Sequence, residues 1–207
     1  MKQNETLLKN YQEYLKRERI LKSFGYDSRR ANAFVASHAL PLKGKILEIG
    51  TGKGRVTALL AKRVPHLTTV DIDVKSQRQA KLYATYRKVR PRIRFLACNA
   101  ESLPFPEHSF DAVVSANVLH HMKRPYRVLE EILRVTRPTG KIILSDPDRS
   151  GLKAMAKMHQ AEGKEHPGSG VHVAQAARWL KKKGWTVSIQ YGAQEDLLIA
   201  QRNNDGD

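Results

Sequence analysis

From Gly44 onward the chain alternates short apolar runs with stretches of helical periodicity, and few architectures accept that pattern. Residues 46–49, 67–70, 93–96, 110–114 and 141–144 read as strands, the last entered through the turn Pro138-Thr139-Gly140. Residues 56–60, 74–89, 125–135, 152–160 and 171–183 carry helical spacing, and Pro125 suits a first helical turn. Strands alternating with helices predict a doubly wound α/β sheet that is mainly parallel, because each crossover must bury one apolar stripe against a sheet face. Two closing strands, residues 185–191 and 196–201, are joined through a short turn at Gly192 and should pair antiparallel.

Before Gly44 there is no strand signal. Leu7, Leu8, Tyr11, Tyr14 and Leu15 recur at helical spacing until Gly25 breaks the run. Asp27 or Ser28 can cap a second helix carrying Ala33, Phe34, Val35 and Leu40, which Pro41 ends. Residues 1–41 therefore read as an N-terminal helical cap, 42–202 as the α/β domain and 203–207 as a frayed tail. With 207 residues, 41% hydrophobic and 28% charged, the composition is that of a globular protein with a real core. No apolar run is long enough to span a bilayer, the N-terminus lacks a signal-peptide core, and Cys98 is the single cysteine. These features predict a cytoplasmic location and leave oligomeric state open.

The first strand runs into Glu48-Ile49-Gly50-Thr51-Gly52-Lys53-Gly54. In an open α/β sheet this turn lies at the carboxyl edge, where ligands bind near the switch in strand order. Glycines there allow a tight turn and close approach to the backbone. Asp71 ends the second strand about twenty residues on, where a carboxylate accepts from ribose hydroxyls. A dinucleotide site would use G-x-G-x-x-G to cradle a pyrophosphate. Here the glycines alternate as G-x-G-x-G, and Glu48 precedes them. That carboxylate would repel a pyrophosphate and suits a cationic amino-acid sulfonium; it also could organise the loop through backbone hydrogen bonds, or do both.

From about Lys43 to Asp146 the sequence resembles the class I S-adenosylmethionine-dependent methyltransferases, in particular the small-molecule, quinone-type branch. Residues 46–54 match the family's first motif, and Val70-Asp71-Ile72-Asp73 its ribose-binding element. Asn99-Ala100-Glu101-Ser102-Leu103-Pro104-Phe105 resembles a segment beside the adenine, and residues 110–121 a fourth-strand motif. The resemblance implies a Rossmann-like, mainly parallel seven-stranded sheet with an antiparallel final strand, and S-adenosyl-L-methionine as cofactor. It implies cofactor contacts from Glu48, Gly50, Thr51, Gly52, Gly54, Asp71, Ile72, Asn99, Ala100 and Asn117. Asn99 stands where the family usually has Asp; its carbonyl still can accept from an adenine amino group.

Methyl transfer from a sulfonium needs chiefly alignment, and a base only where the acceptor must lose a proton. His120 and His121, following the fourth strand, are the candidate bases, with the alternative that one packs structurally and the other is solvated. Asp146, ending the fifth strand, could orient the acceptor or cap the next helix. His159, His166 and His172, with Glu162 and Glu165, match no metal spacing and read as lid or surface residues, so no metal is expected. Cys98 reads as a core thiol.

Thirty-seven Lys and Arg against twenty Asp and Glu give a net charge of +17, which attracts polyanions or simply solvates the surface. Eight basic residues and no acidic one lie between Lys75 and Arg94. Arg87, Lys88, Arg90 and Arg92, with Lys181, Lys182 and Lys183, should sit at the sheet edge away from the ligand. Lys16, Arg17, Arg19, Lys22, Arg29, Arg30, Arg124 and Arg127 should lie nearer the pocket. A small-molecule acceptor is the expected partner. An RNA methyltransferase is the alternative, although no aromatic-flanked proline motif or RNA-binding module is present; a catalytically silent, cofactor-binding regulatory protein is another.

Overall fold

The computed structural model describes residues 2–163 and 170–202, with side chains from Asn4 onward. Glu165, His166 and the tail expected at 203–207 lie outside the described residues. Two N-terminal helices, α1 (Lys2–Ser23) and α2 (Ser28–Ala39), precede β1 (Ile46–Ile49), α3 (Arg55–Ala61), β2 (Leu67–Asp71), α4 (Val74–Tyr86) and β3 (Ile93–Ala97). There follow β4 (Phe110–Ala116), α5 (Pro125–Val135), β5 (Thr136–Pro147), α6 (Arg149–Ala161), α7 (Val173–Lys182), β6 (Thr186–Gly192) and β7 (Glu195–Gln201). The seven strands lie in the order β3-β2-β1-β4-β5-β7-β6. β1 to β5 pair parallel, and β7 runs antiparallel between β5 and β6. No described helix is long and apolar enough to cross a membrane.

Period-two alternation sorts the strand residues to the two faces. Leu47 and Ile49 of β1, with Val113, Ile142 and Leu198, pack under α5 and α7. Ile46, Val114, Ile143 and Leu197 face α2, α3 and α4. α5 turns Val128, Leu129, Ile132 and Val135 inward, all at 1% exposure or less. Each such aliphatic side chain stabilises the fold by roughly 1.5–3 kcal/mol. α1 is fastened to α4 by stacked tyrosines, Tyr14 on Tyr83 and Tyr11 on Tyr86, both with ring centroids 4.2 Å apart.

Several local expectations are corrected. The Pro138-Thr139-Gly140 turn is absorbed into β5: Phe110 pairs with Thr136 but Ala112 with Lys141, so the extra residues form a bulge. A Cβ on Gly140 would stand 2.6 Å from Thr136 Cγ2, which is why glycine fits there. α4 stops at Tyr86, short of Val89, where Lys88 takes a left-handed φ of 57°. The β6–β7 connection is made by Ala193 and Gln194, both with positive φ, as a two-residue hairpin turn requires. Asp27, rather than Ser28, caps α2 by accepting from the Arg30 amide at 3.0 Å.

Candidate active site

The strand order reverses direction between β1 and β4, so the loops leaving their carboxyl ends part and open a crevice. A cavity of about 990 Å³ lies there. Glu48, Gly50, Thr51, Gly52, Asp71, Ile72, Asn99, Ala100 and Asn117 all line it. Gly54 does not. It is the N-cap of α3, and a Cβ there would come within 2.9 Å of Ala80 on α4, so its part is helix packing. Gly50 is required by another neighbour: an added Cβ would stand 2.1 Å from Val118 Cγ2, and φ is +88°.

The glycine loop is built from both adjoining strands. The Gly50 and Thr51 amides donate to the Val70 carbonyl at 2.8 and 3.1 Å. Asp71 then receives the Gly52 amide on Oδ2 at 2.7 Å and the Asp73 amide on Oδ1 at 2.8 Å. Its carboxylate thus fixes the loop while each oxygen keeps a further lone pair for the cavity. Glu48 is 2% exposed and accepts from the Thr69 hydroxyl at 2.6 Å. Because Thr69 spends its proton on Glu48, the 2.7 Å contact between the Thr51 and Thr69 hydroxyls has Thr51 as donor. Burial pushes the Glu48 carboxyl up to about 7, against the lowering effect of the Thr69 hydroxyl. Glu48 organises this region through threonine side chains, not through loop amides as the sequence had allowed.

On the β3 side, the Cys98 amide donates to the Asp71 carbonyl at 3.1 Å and brings the Asn99-Ala100 segment to the cavity. Asn99 Oδ1 accepts from the Glu101 amide at 2.9 Å in a local turn. Ile72, 70% exposed, forms the rim. On the β4 side, Asn117 holds a positive φ of 59° and donates its backbone N–H to Ser145 at 2.8 Å. With its amide nitrogen turned to Glu195, the side chain donates to both carboxylate oxygens at 3.1 and 3.2 Å.

The two histidines sit on one short turn, Leu119–His121, with their ring centroids 3.9 Å apart, and differ in burial. His121 is exposed and lines the cavity. His120 is 3% exposed; Asp146 lies 2.9 Å from its Nδ1 and accepts its backbone N–H at 2.9 Å. Burial raises the Asp146 carboxyl, and His120 opposes that rise. His120 and Asp146 do not line this cavity, and of the two candidate bases His120 is the one that packs structurally. Asp146 does not cap α6 either: Asp148 does, by accepting from the Gly151 amide at 2.8 Å.

Three residues that the sequence reading did not assign matter here. Arg55, at the start of α3, and Asn32, on α2, line the cavity, and Glu195 buttresses Asn117 from β7. Arg17, from α1, reaches the cavity and pairs with Glu162 at the end of α6; Arg124 pairs with Glu101. His172 is the N-cap of α7 and donates its backbone N–H to Gln175 Oε1 at 2.9 Å. Among the described residues no three His, Cys, Asp or Glu side chains form a metal-binding group. Arg92 donates to the Ala61 and Lys62 carbonyls at the far end of α3, the end of the sheet away from the glycine loop.

A parallel sheet opened at β1/β4, a glycine loop pinned by an acid at the end of β2, and two carboxylates facing the cavity set the terms for comparison. Residues 47–144 match the family described as a methyltransferase domain. They are a methyltransferase domain of the class I, S-adenosylmethionine-dependent kind. The 27-O-demethylrifamycin SV methyltransferase of Amycolatopsis mediterranei is 33% identical over 132 residues, covering 60% of this chain and 48% of the relative. The mitochondrial ubiquinone biosynthesis O-methyltransferase of Arabidopsis thaliana is 33% identical over 167 residues, covering 80% and 48%. This chain thus spans about half the length of these curated relatives. The PH0226 protein of Pyrococcus horikoshii shares the fold with a TM-score of 0.67 at 21% identity, covering 93% of this chain and 92% of that one. The methyltransferase domain implies S-adenosylmethionine as cofactor. The donor set fits it: Glu48 beside the glycine loop is placed against a pyrophosphate and for a cationic amino-acid sulfonium, and Asp71 suits ribose hydroxyls.

Proposed function

We propose that this chain transfers the methyl group of S-adenosylmethionine to a small-molecule acceptor. One observation carries the reading: nine cofactor candidates from four separate sequence segments line a single cavity at the switch point. Its volume is near the upper end of the roughly 300–1,000 Å³ usual for small-molecule sites, which suits a cofactor with a compact acceptor. The rifamycin and ubiquinone relatives support a small acceptor.

When bound, the sulfonium supplies an electrophilic methyl carbon. The residues of this chain then have binding and alignment to perform. Asp71 offers lone pairs to the ribose edge while holding the Gly52 amide. Asn99, Ala100 and Ile72 border the adenine end, and Glu48, Gly50, Thr51, Gly52 and Asn117 the amino-acid end. His121 faces the cavity and is the candidate base for an acceptor that must lose a proton. His120 and Asp146 hold the turn that carries His121 and act as positioning residues.

The test is a methyl-transfer screen with labelled cofactor against metabolite fractions and RNA in parallel. Label in a small-molecule fraction is the expected result. Salt-sensitive label in RNA instead would overturn the acceptor class. Cofactor binding with no transfer in any fraction would indicate a regulatory protein.

A further inference from the structure

The end of the sheet opposite the glycine loop carries positive charge that no described acid answers. Between Lys62 and Arg94 the chain holds ten basic residues and two acids, Asp71 and Asp73. Both acids lie at the carboxyl end of β2, on the cavity side. Lys62 and Arg63 precede β2, and Arg87, Lys88, Arg90 and Arg92 precede β3. The register pairs Leu67 with Ile93, so these two approaches run side by side at the amino ends of the strands. Arg94 follows on β3 itself, an outer strand of the sheet. β2 is five residues long, which separates this face from the cavity by roughly 16 Å.

Neutral groups hold these cations in place. Arg92 Nη1 donates to the Ala61 and Lys62 carbonyls at 3.2 and 3.4 Å. Arg90 Nη1 donates to the Ile93 carbonyl at 3.0 Å, and Arg87 Nη1 to the Tyr83 hydroxyl at 2.8 Å. The Arg90 guanidinium carbon and the Lys81 ammonium lie 5.0 and 5.8 Å from the centroid of the Phe95 ring. No cation of this face forms an ion pair with a described carboxylate. On α5 and β5, by contrast, Arg127, Arg134 and Arg137 each pair with an acid. The excess charge is therefore localised.

An outer strand is kept from pairing with another sheet by one or two charges of either sign. A run of a single sign, with oriented and unneutralised guanidiniums, fits an extended anion instead. A protein partner would need an apolar centre to the interface, and a bilayer an apolar side chain to bury. The exposed large apolar residues of this stretch do not supply one: Ile72 and Val74 lie at the cavity end, and Tyr86 is stacked on Tyr11. We propose that this face docks the phosphate backbone of a nucleic acid, away from the methyl-transfer cavity. The proposal does not depend on the cofactor assignment.

The test is fluorescence anisotropy of a labelled, mixed-sequence single-stranded RNA titrated with the full chain over a range of salt. Each phosphate neutralised contributes about −0.7 to the slope of log affinity against log salt. Lys62→Glu, Arg63→Glu and Arg94→Glu together reverse three exposed cations. That variant should bind roughly tenfold or more weakly, with a slope flatter by about 2. Arg178→Glu, Lys181→Glu and Lys182→Glu together change the net charge equally, on exposed positions of α7 beside the other outer strand. That control lies on the order of 30 Å across the sheet and should cost about threefold or less. Equal losses in the two variants would show a net-charge effect and overturn the proposal, as would a wild type that does not bind RNA. Phosphatidylserine–phosphatidylcholine vesicles, titrated in parallel, test the membrane instead: binding tighter than to RNA and lost in the first variant also overturns it. Methyl label entering the bound RNA would fail the small-molecule acceptor and leave the docking face standing. Thermal melting checks that the variants fold. Should the first not fold, Arg63→Gln with Arg94→Gln removes two charges and should flatten the slope by about 1.4.

Discussion

The hydroxyl of Tyr26, between α1 and α2, donates to the Glu195 carboxylate at the start of β7 across 2.5 Å, with 1% and 0% exposure. Glu195 also receives the Ser145 hydroxyl at 2.6 Å and the Asn117 amide. One buried acid thus joins the N-terminal helices, β5, β7 and the cavity-lining end of β4. Removing one donor leaves a buried carboxylate oxygen short of a partner. Tyr26→Phe is expected to cost about 1–3 kcal/mol in urea denaturation above neutral pH. In a Glu195→Gln background the same change should cost less. An unchanged midpoint in Tyr26→Phe would show that the hydroxyl contributes nothing.

Stability should also depend on pH through Glu48 and Glu195. Burial lifts each carboxyl from an ordinary 4.5 to about 7 in the folded chain. The folded state therefore holds these protons more tightly than the unfolded state does. Their contribution is fully present below about 4.5 and is lost as pH rises through about 7. The size is on the order of 3 kcal/mol per group. Denaturation midpoints across this window should fall with pH in the wild type and flatten in Glu48→Gln and Glu195→Gln. A flat wild-type profile would contradict the raised carboxyls.

Asp71 and Gly52 act on the same loop in different ways. Asp71→Ala removes the acceptor of the Gly52 and Asp73 amides along with the proposed ribose contact, and should weaken cofactor binding at least tenfold, about 1.4 kcal/mol. Gly52 has φ +48° and open space where a Cβ would go. Gly52→Val therefore meets no clash but forces a β-branched residue into the left-handed region, at a cost of roughly 1–2 kcal/mol, and puts a side chain on the cavity wall. Calorimetry with unchanged affinity in both variants would remove this loop from the cofactor site.

The neighbouring histidines should separate cleanly. His121→Ala is expected to lower turnover on an acceptor that loses a proton and to leave the melting temperature nearly unchanged. His120→Ala strips Asp146 of a buried hydrogen-bond partner and should lower the melting temperature, at a cost of about 1–3 kcal/mol of stability. Turnover by His121→Ala equal to wild type would exclude it as base.

The alternation of strands and helices was readable because periods of two and 3.6 differ over a few residues. The glycine loop and Asp71 were readable because backbone geometry and a strand-end acid leave local marks. Glu195 left none: it begins a strand whose other positions look ordinary, and its role comes from Tyr26, far away in sequence. Arg55 reads as one more cation in a chain rich in them until Tyr14 covers it. His120 and His121 are adjacent and alike, and only the short turn on which they sit sends one inward to Asp146. The β5 bulge was hidden for a related reason, since Pro-Thr-Gly reads as a turn whether or not a neighbouring strand continues past it.

Val118 fills the space where Gly50 would carry a Cβ, so the donor loop and the segment leading to His121 are in direct contact. Close-packed atoms transmit displacement rather than absorb it. A ligand that settles the glycine loop therefore also sets the height of the turn bearing His121. With the proposed cofactor on this loop, its exchange would press through Val118 on the turn that carries the candidate base His121.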